Sequence, residues 1–153
     1  MSRAFVKEDD GVDGEMLPDR PISPHRNFVT AEGLAAIDAT LIELAATLAS
    51  TSAEDRPTRA RLERELRYWR QRRATAEPSA APPDNAVVRF GSTVTIERDD
   101  GREQTFRIVG EDEADPAKGA LSYVSPLARA LSGKSVGDVV EVAGGDVEII
   151  AIR

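Results

Sequence analysis

Leu34, Ile37, Leu41, Leu44 and Leu48 recur at steps of three and four residues, and this seam constrains the chain more than any other feature. Such spacing is the a/d pattern of a coiled coil. Thr30 starts the helix: its hydroxyl can cap, Glu32 in the first turn suits the dipole, but Gly33 stands where a capping box has Glu. A short helix exposing a leucine stripe is marginal alone, so the seam needs a partner. The partner follows a polar turn, STSAEDRP at 50–57, whose proline suits a helix start. A second helix is expected over 58–76, with Leu62, Leu66 and Trp69 continuing the spacing and Arg73 and Ala76 next in the series. Two helices joined by a short turn make an antiparallel hairpin. Helices of ~19 residues would project about 28 Å.

After the proline-rich stretch EPSAAPPD at 77–84, a linker by composition, the period changes. TVTIE at 93–97 and QTFRIV at 104–109 read as strands around the turn Asp99–Gly101. Strands are also expected at 121–124, 139–142 and 147–152. Between the first two of these, Ser125 stands at an N-cap, Pro126 at the first helical position, and Gly133 ends the short helix. The fold class is therefore α+β: a helical hairpin, then a small, mostly antiparallel sheet with one short helix.

The expected segments are a disordered acidic tail at 1–27, the hairpin at 28–77, a linker at 78–86 and the sheet domain at 87–153. The tail carries three prolines, Pro18, Pro21 and Pro24, and few apolar anchors. His25 in it is a bystander, since a zinc site needs three or four ligands. No cysteine is present, so neither a disulfide nor a thiolate metal site can form. No unbroken run of about 18 apolar residues exists, so no membrane span is expected; the lack of cysteine is consistent with a reducing, cytoplasmic home. The net charge is −7, which disfavours wrapping duplex DNA. Against that balance stand the arginines, from Arg56 to Arg73, with only Glu63 and Glu65 among them.

The stretch at 125–138, S-P-x-A-R-A-L-x-G-K-x-V-G-D, resembles the C-terminal domain of the GreA/GreB transcript-cleavage factors of bacterial RNA polymerase. The run Phe106–Asp115, FRIVGEDEAD, fits as well. The resemblance covers roughly 85–153 and implies an FKBP-like fold. It also implies a monomeric binding protein, not an enzyme, that enters the polymerase secondary channel and modulates elongation or rescues backtracked complexes. No cofactor of its own is implied, only help to the polymerase's Mg2+.

Three groups of residues are candidates. Glu54 and Asp55 lie at the hairpin tip, where the family's acidic residues help hold the second catalytic magnesium, a hard ion that takes oxygen ligands. Here the family's tip order is absent and the helices are shorter, so the alternative is that both are helix-start acids. Arg59, Arg64, Arg67 and Arg70 form a basic face, which could meet nascent RNA or the channel wall, or could be a solvated face with pairs such as Glu63–Arg67. Asp112, Glu113, Ser125, Pro126, Leu127 and Ala128 match the family's polymerase-docking positions; Ser125 and Pro126 also read as a helix cap, and both roles can hold at once. Two alternatives remain open. One is a polymerase-binding regulator without cleavage, similar to the short-armed regulator of nucleoside diphosphate kinase. The other is a peptidyl-prolyl isomerase, whose aromatic pocket could draw only on Phe90, Phe106 and Tyr123.

Overall fold

The computed structural model describes residues 17–153. The expectation of a disordered tail therefore lies, for residues 1–16, outside the described residues. Two units emerge: the chain up to Pro24 with Ile37–Ala74, and His25–Ala36 with Thr75–Arg153.

The first unit is the hairpin. Helix α1 spans Ala31–Ser50 and α2 spans Arg56–Thr75. They run antiparallel, as the bonds at both ends show. Arg73 Nε, late in α2, donates to Asp38 Oδ1, early in α1, at 2.6 Å. Arg59 Nη1, early in α2, donates to the carbonyls of Leu48 and Thr51 at 3.3 and 3.2 Å. Those carbonyls, one in the last turn of α1 and one just beyond it, would otherwise look to water. Ile37, Ala60, Leu62 and Leu66 are buried, while Leu41, Leu44 and Leu48 are only half-buried. The seam therefore exists but is thin. Arg72, not Arg73, is the buried arginine, 1% exposed; Arg73 stays at the solvent edge, where it reaches Asp38. By length and composition alone α1 would be apolar enough to cross a membrane, contrary to the expectation from unbroken apolar runs. Alanines between its three acids raise the average without making a run.

Residues 17–24 are not a free tail. Pro18 accepts from Arg64 Nε at 2.7 Å, Asp19 from Arg67 Nε at 2.6 Å, and Arg20 donates to Glu65 at 2.7 Å. The segment lacks apolar anchors, but the arginines of α2 supply polar ones.

The second unit is built on five strands: β3 (Thr93–Arg98), β4 (Glu103–Val109), β5 (Ala120–Ser122), β6 (Val139–Val142) and β7 (Gly145–Ile152), in the order β5-β4-β3-β7-β6. Within this five-stranded sheet only the β4–β5 pair is parallel. The β3–β4 hairpin turns through Gly101, whose φ of 81° favours glycine, and Asp100 Oδ1 accepts the Arg102 N–H at 3.0 Å. The alternation of β3 sends Val94 and Ile96 into the core with Phe106, Ile108, Leu121, Val140, Val147, Ile149 and Ile152. Helix α3 (Pro126–Leu131) closes this core with Ala128 and Leu131. Val88 adds to it, holding Lys134 O and Gly133 N through its own backbone at 2.8 and 2.9 Å.

The proline-rich stretch is not wholly a linker. Glu77–Pro78 forms a two-residue strand, β2, that pairs in parallel with β1 (Phe28–Val29). Glu77 N–H donates to Asn27 O at 2.8 Å and Ser79 N–H to Val29 O at 2.9 Å. Proline is tolerated here because its missing donor is not needed in that register. Beside this ladder, Arg26 donates twice to the Glu77 carboxylate, at 3.1 and 3.0 Å.

Candidate interaction surfaces

The start of α1 closes in an unexpected way. Thr30 Oγ1 accepts the Gly33 N–H at 3.0 Å, which is half of a capping box. The other half comes from Glu113, distant in sequence: its carboxylate accepts the Thr30 N–H and the Gly110 N–H, each at 3.1 Å, and the Thr30 hydroxyl as well. Gly33 is what admits it. A Cβ at Gly33 would lie 2.1 Å from Glu113 Cδ, and one at Gly110 would lie 2.4 Å from the Phe28 carbonyl oxygen. Glu113 is therefore committed within the fold, not presented to a partner. The only hint in the sequence is a glycine at the third position of an otherwise good helix.

The remaining candidate docking residues lie on the segments that follow β4 and β5. The pair is parallel with Val109 opposite Ser122, so the segments that follow both leave from the same end of the sheet. Tyr123 N–H donates to Val109 O at 2.9 Å and ties them. Asp112, half-buried, sits in the 3-10 turn Glu111–Glu113 on one side. On the other, Ser125 caps α3 by accepting the Ala128 N–H at 3.3 Å, and this turns Pro126 to the exterior. Leu127 is half-buried against the core. Ala128 is buried and makes no surface, because the face of α3 that carries Leu131 also carries Ala128. Of the candidate docking residues, Asp112, Ser125, Pro126 and the edge of Leu127 therefore keep surface in water.

The tip is quieter than the resemblance implies. Asp55 is the N-cap of α2, its Oδ1 accepting the Thr58 N–H at 3.3 Å. Glu54 accepts from the Ser52 hydroxyl, which holds its carboxyl below the usual range, helped by a backbone hydrogen bond. Both acids already have donors in their own turn. The basic face is likewise engaged: Arg59 caps α1, while Arg64 and Arg67 hold Pro18 and Asp19. Arg70 is exposed.

Phe28, Phe90 and Tyr123 form a closed trio, with ring centroids 5.4 to 5.8 Å apart. Each ring touches the other two, and Tyr123 donates its hydroxyl to Arg26 O. Phe106 belongs to the core. The rings expected of an isomerase pocket pack against protein instead.

Residues 83–153 match the family described as transcription elongation factor, GreA/GreB, C-terminal. The sheet domain is thus similar to the GreA/GreB C-terminal domain, and the match leaves the hairpin outside it. The domain's motif at 125–138 is the one whose cap and exposed proline are described above. Transcription elongation factor GreA of Paracoccus denitrificans is 50% identical over 74 residues, covering 45% of this chain and 47% of that protein. GreA of Hyphomonas neptunium is 61% identical over 57 residues, covering 37% of this chain and 36% of that protein. The chain spans about half the length of the curated relatives it matches, or less. Among solved structures, GreA factor homolog 1 of Thermus thermophilus aligns over 84% of this chain and 99% of its own, at 19% identity and a TM-score of 0.41. A GreA/GreB factor from Nitrosomonas europaea aligns at 24% identity and 0.39, over 84% and 98%.

Proposed function

We propose that this protein is a bacterial transcription elongation factor that docks on RNA polymerase and modulates elongation from its secondary channel in the cytoplasm. The observation that carries this reading is the end of the β4–β5 pair: a domain similar to the GreA/GreB one keeps Asp112, Ser125, Pro126 and the edge of Leu127 in water on the segments that follow. A half-apolar patch with one carboxylate suits a partner carrying a cation beside an apolar groove. The hairpin is the part that would enter the channel, with its arginine face toward nascent RNA. The factor acts by binding and has no reaction of its own. Co-purification with bacterial core polymerase tests it directly, and Pro126→Asp should abolish retention while leaving the thermal transition in place. A wild-type chain that fails to bind at micromolar concentration would end the proposal.

A second reading concerns what binding does. Asp55 Oδ1 is engaged as a helix cap and Glu54 Oε2 by Ser52, so each acid would have to give up a donor in its own turn before both its oxygens could turn to the polymerase's magnesium. That favours a regulator that occupies the channel without stimulating cleavage. A backtracked complex incubated with the protein should keep its transcript intact. Cleavage that disappears in Glu54→Ala/Asp55→Ala would overturn this second reading and leave the first standing.

A further inference from the structure

Residues 18–20 lie on α2 in a way that no docking role at the β4–β5 end explains. The Pro18 carbonyl and the Asp19 carboxylate receive the Nε donors of Arg64 and Arg67. One helical turn separates those arginines, so two oxygen groups track along a row of guanidiniums as successive backbone phosphates do. Arg20 adds a planar group. Its guanidinium carbon sits 3.7 Å from the Tyr68 ring centroid and 5.9 Å from that of Trp69. A stacked base would occupy the same place. Beside it lies a cavity of about 470 Å³, lined by Asp19, Arg20, Ile22, Arg67, Tyr68 and Arg70.

We propose that residues 18–20 are a removable cover that imitates a single-stranded nucleic acid on the arginine and aromatic face of α2. The inference rests on the reading of that face as the one turned toward RNA. The carbonyl and the carboxylate take the phosphate positions, and the Arg20 plane takes the base position over Tyr68. The cover can be displaced because its ion pairs are at the surface: the Asp19 and Arg67 side chains are 72% and 45% exposed. An incoming strand must therefore compete with the chain's own segment, which sets a threshold on binding. An acidic protein could also meet arginines, but it has no need of a ring face; the stacked geometry favours the nucleic acid.

The test is fluorescence anisotropy with a labelled 12-nucleotide single-stranded RNA and the full chain, at low and at raised salt. Arg20→Ala decides it. Loss of a positive charge should weaken binding by simple electrostatics, whereas removal of the cover's planar group should tighten it, by about two- to fivefold if one surface pair is released. Trp69, the only tryptophan, should report the RNA by a change in emission that Tyr68→Ala diminishes. Equal or weaker binding by Arg20→Ala would overturn the cover. Failure of the underlying reading looks different: Arg64→Ala/Arg67→Ala would then bind RNA as the wild type does, or none would bind at all. If an acidic peptide of equal charge binds as well as RNA, independently of Tyr68, the imitation of a nucleic acid is wrong.

Discussion

The sheet unit and the hairpin unit are held together by different means. Twelve buried residues, from Val88 to Ile152, interlock in the first. In the second the buried apolar set is Ile37, Ala60, Leu62 and Leu66, and the seam leucines of α1 keep part of their surface in water. What the hairpin lacks in burial it replaces with directed arginines: Arg59 on the end of α1, Arg73 on Asp38, Arg64 and Arg67 on residues 18–19. Hydrophobic burial is non-directional and scales with area. Surface ion pairs are weak and geometry-dependent. The sheet is therefore rigidly packed, whereas the hairpin's shape depends on bonds that a partner could exchange.

The largest expected effect tests that contrast. Leu131 and Ile149 are fully buried in the sheet core. Leu131→Ala should cost about 2–5 kcal/mol, the range for a leucine truncated in a packed site. Leu66→Ala should fall at the low end of that range, because the half-exposed Leu41 and Leu44 can settle into the space. Chemical denaturation followed by Trp69 emission for the hairpin, and by amide exchange of β3 and β7 for the sheet, separates the two. Equal losses would mean that the hairpin is as tightly packed as the sheet.

Next in size is the closure at the start of α1. Gly33→Ala forces a methyl group against the Glu113 carboxylate and should destabilise by about 1–3 kcal/mol, the cost of overpacking. Glu113→Ala should cost a similar amount for another reason: the Thr30 and Gly110 N–H groups lose their acceptor. The double variant should cost less than the sum, since the methyl group then meets open space. Thermal melts of the four proteins complete the cycle, and simple additivity would show that the two residues do not act on each other.

Much of this architecture was legible in the residues. The 3-4 spacing from Leu34 and the cap at Thr30 located α1 to within a residue of its observed start. The Asp-Gly turn located the β3–β4 hairpin, and Ser125-Pro126 located α3. These signals are local, and local rules read them well. Glu113 was not legible as a cap because a capping box is sought three residues ahead, and here its carboxylate arrives from another part of the chain. Glu77–Pro78 carried no strand signal, since two residues cannot show a period of two. The contacts of residues 18–20 were invisible for a related reason: backbone carbonyls and single charges leave no pattern that predicts which arginine will take them. Among the candidate site residues, Ala128 belonged to a motif and also to the buried face of α3; burial decided its position.

A smaller effect probes the tip. Asp55→Ala removes the N-cap of α2 and should cost about 1 kcal/mol, while Asp55→Asn and Asp55→Ser should restore most of it. The hairpin transition seen by Trp69 is the measurement. If the alanine variant is neutral and the serine variant gives no benefit, the cap is not what holds the carboxylate, and the tip acids become free to act on a metal. That would overturn the reading of a factor that binds without stimulating cleavage.

The smallest effect is electrostatic and belongs to the sheet unit. The Arg26 guanidinium, by its hydrogen bonds and then its charge, holds the Glu77 carboxyl below the usual carboxylate range. The unfolded chain then binds the proton more readily than the folded one. The contribution is complete above the ordinary glutamate value of about 4.3 and is lost as pH falls through the lower folded value. Below that point the β1–β2 ladder should loosen, visible as faster exchange of the Glu77 and Ser79 amides, which bond to Asn27 O and Val29 O. Asp100 is lowered too, by the Arg102 backbone and side chain, so acid will also act elsewhere. Arg26→Gln isolates the ladder: it should flatten the pH dependence of those two amides and leave the β3–β4 turn unchanged. Because both side chains are largely in water, the effect should be small and should shrink further with salt. A pH response that survives Arg26→Gln would place its source in a titrating group other than the Arg26–Glu77 pair.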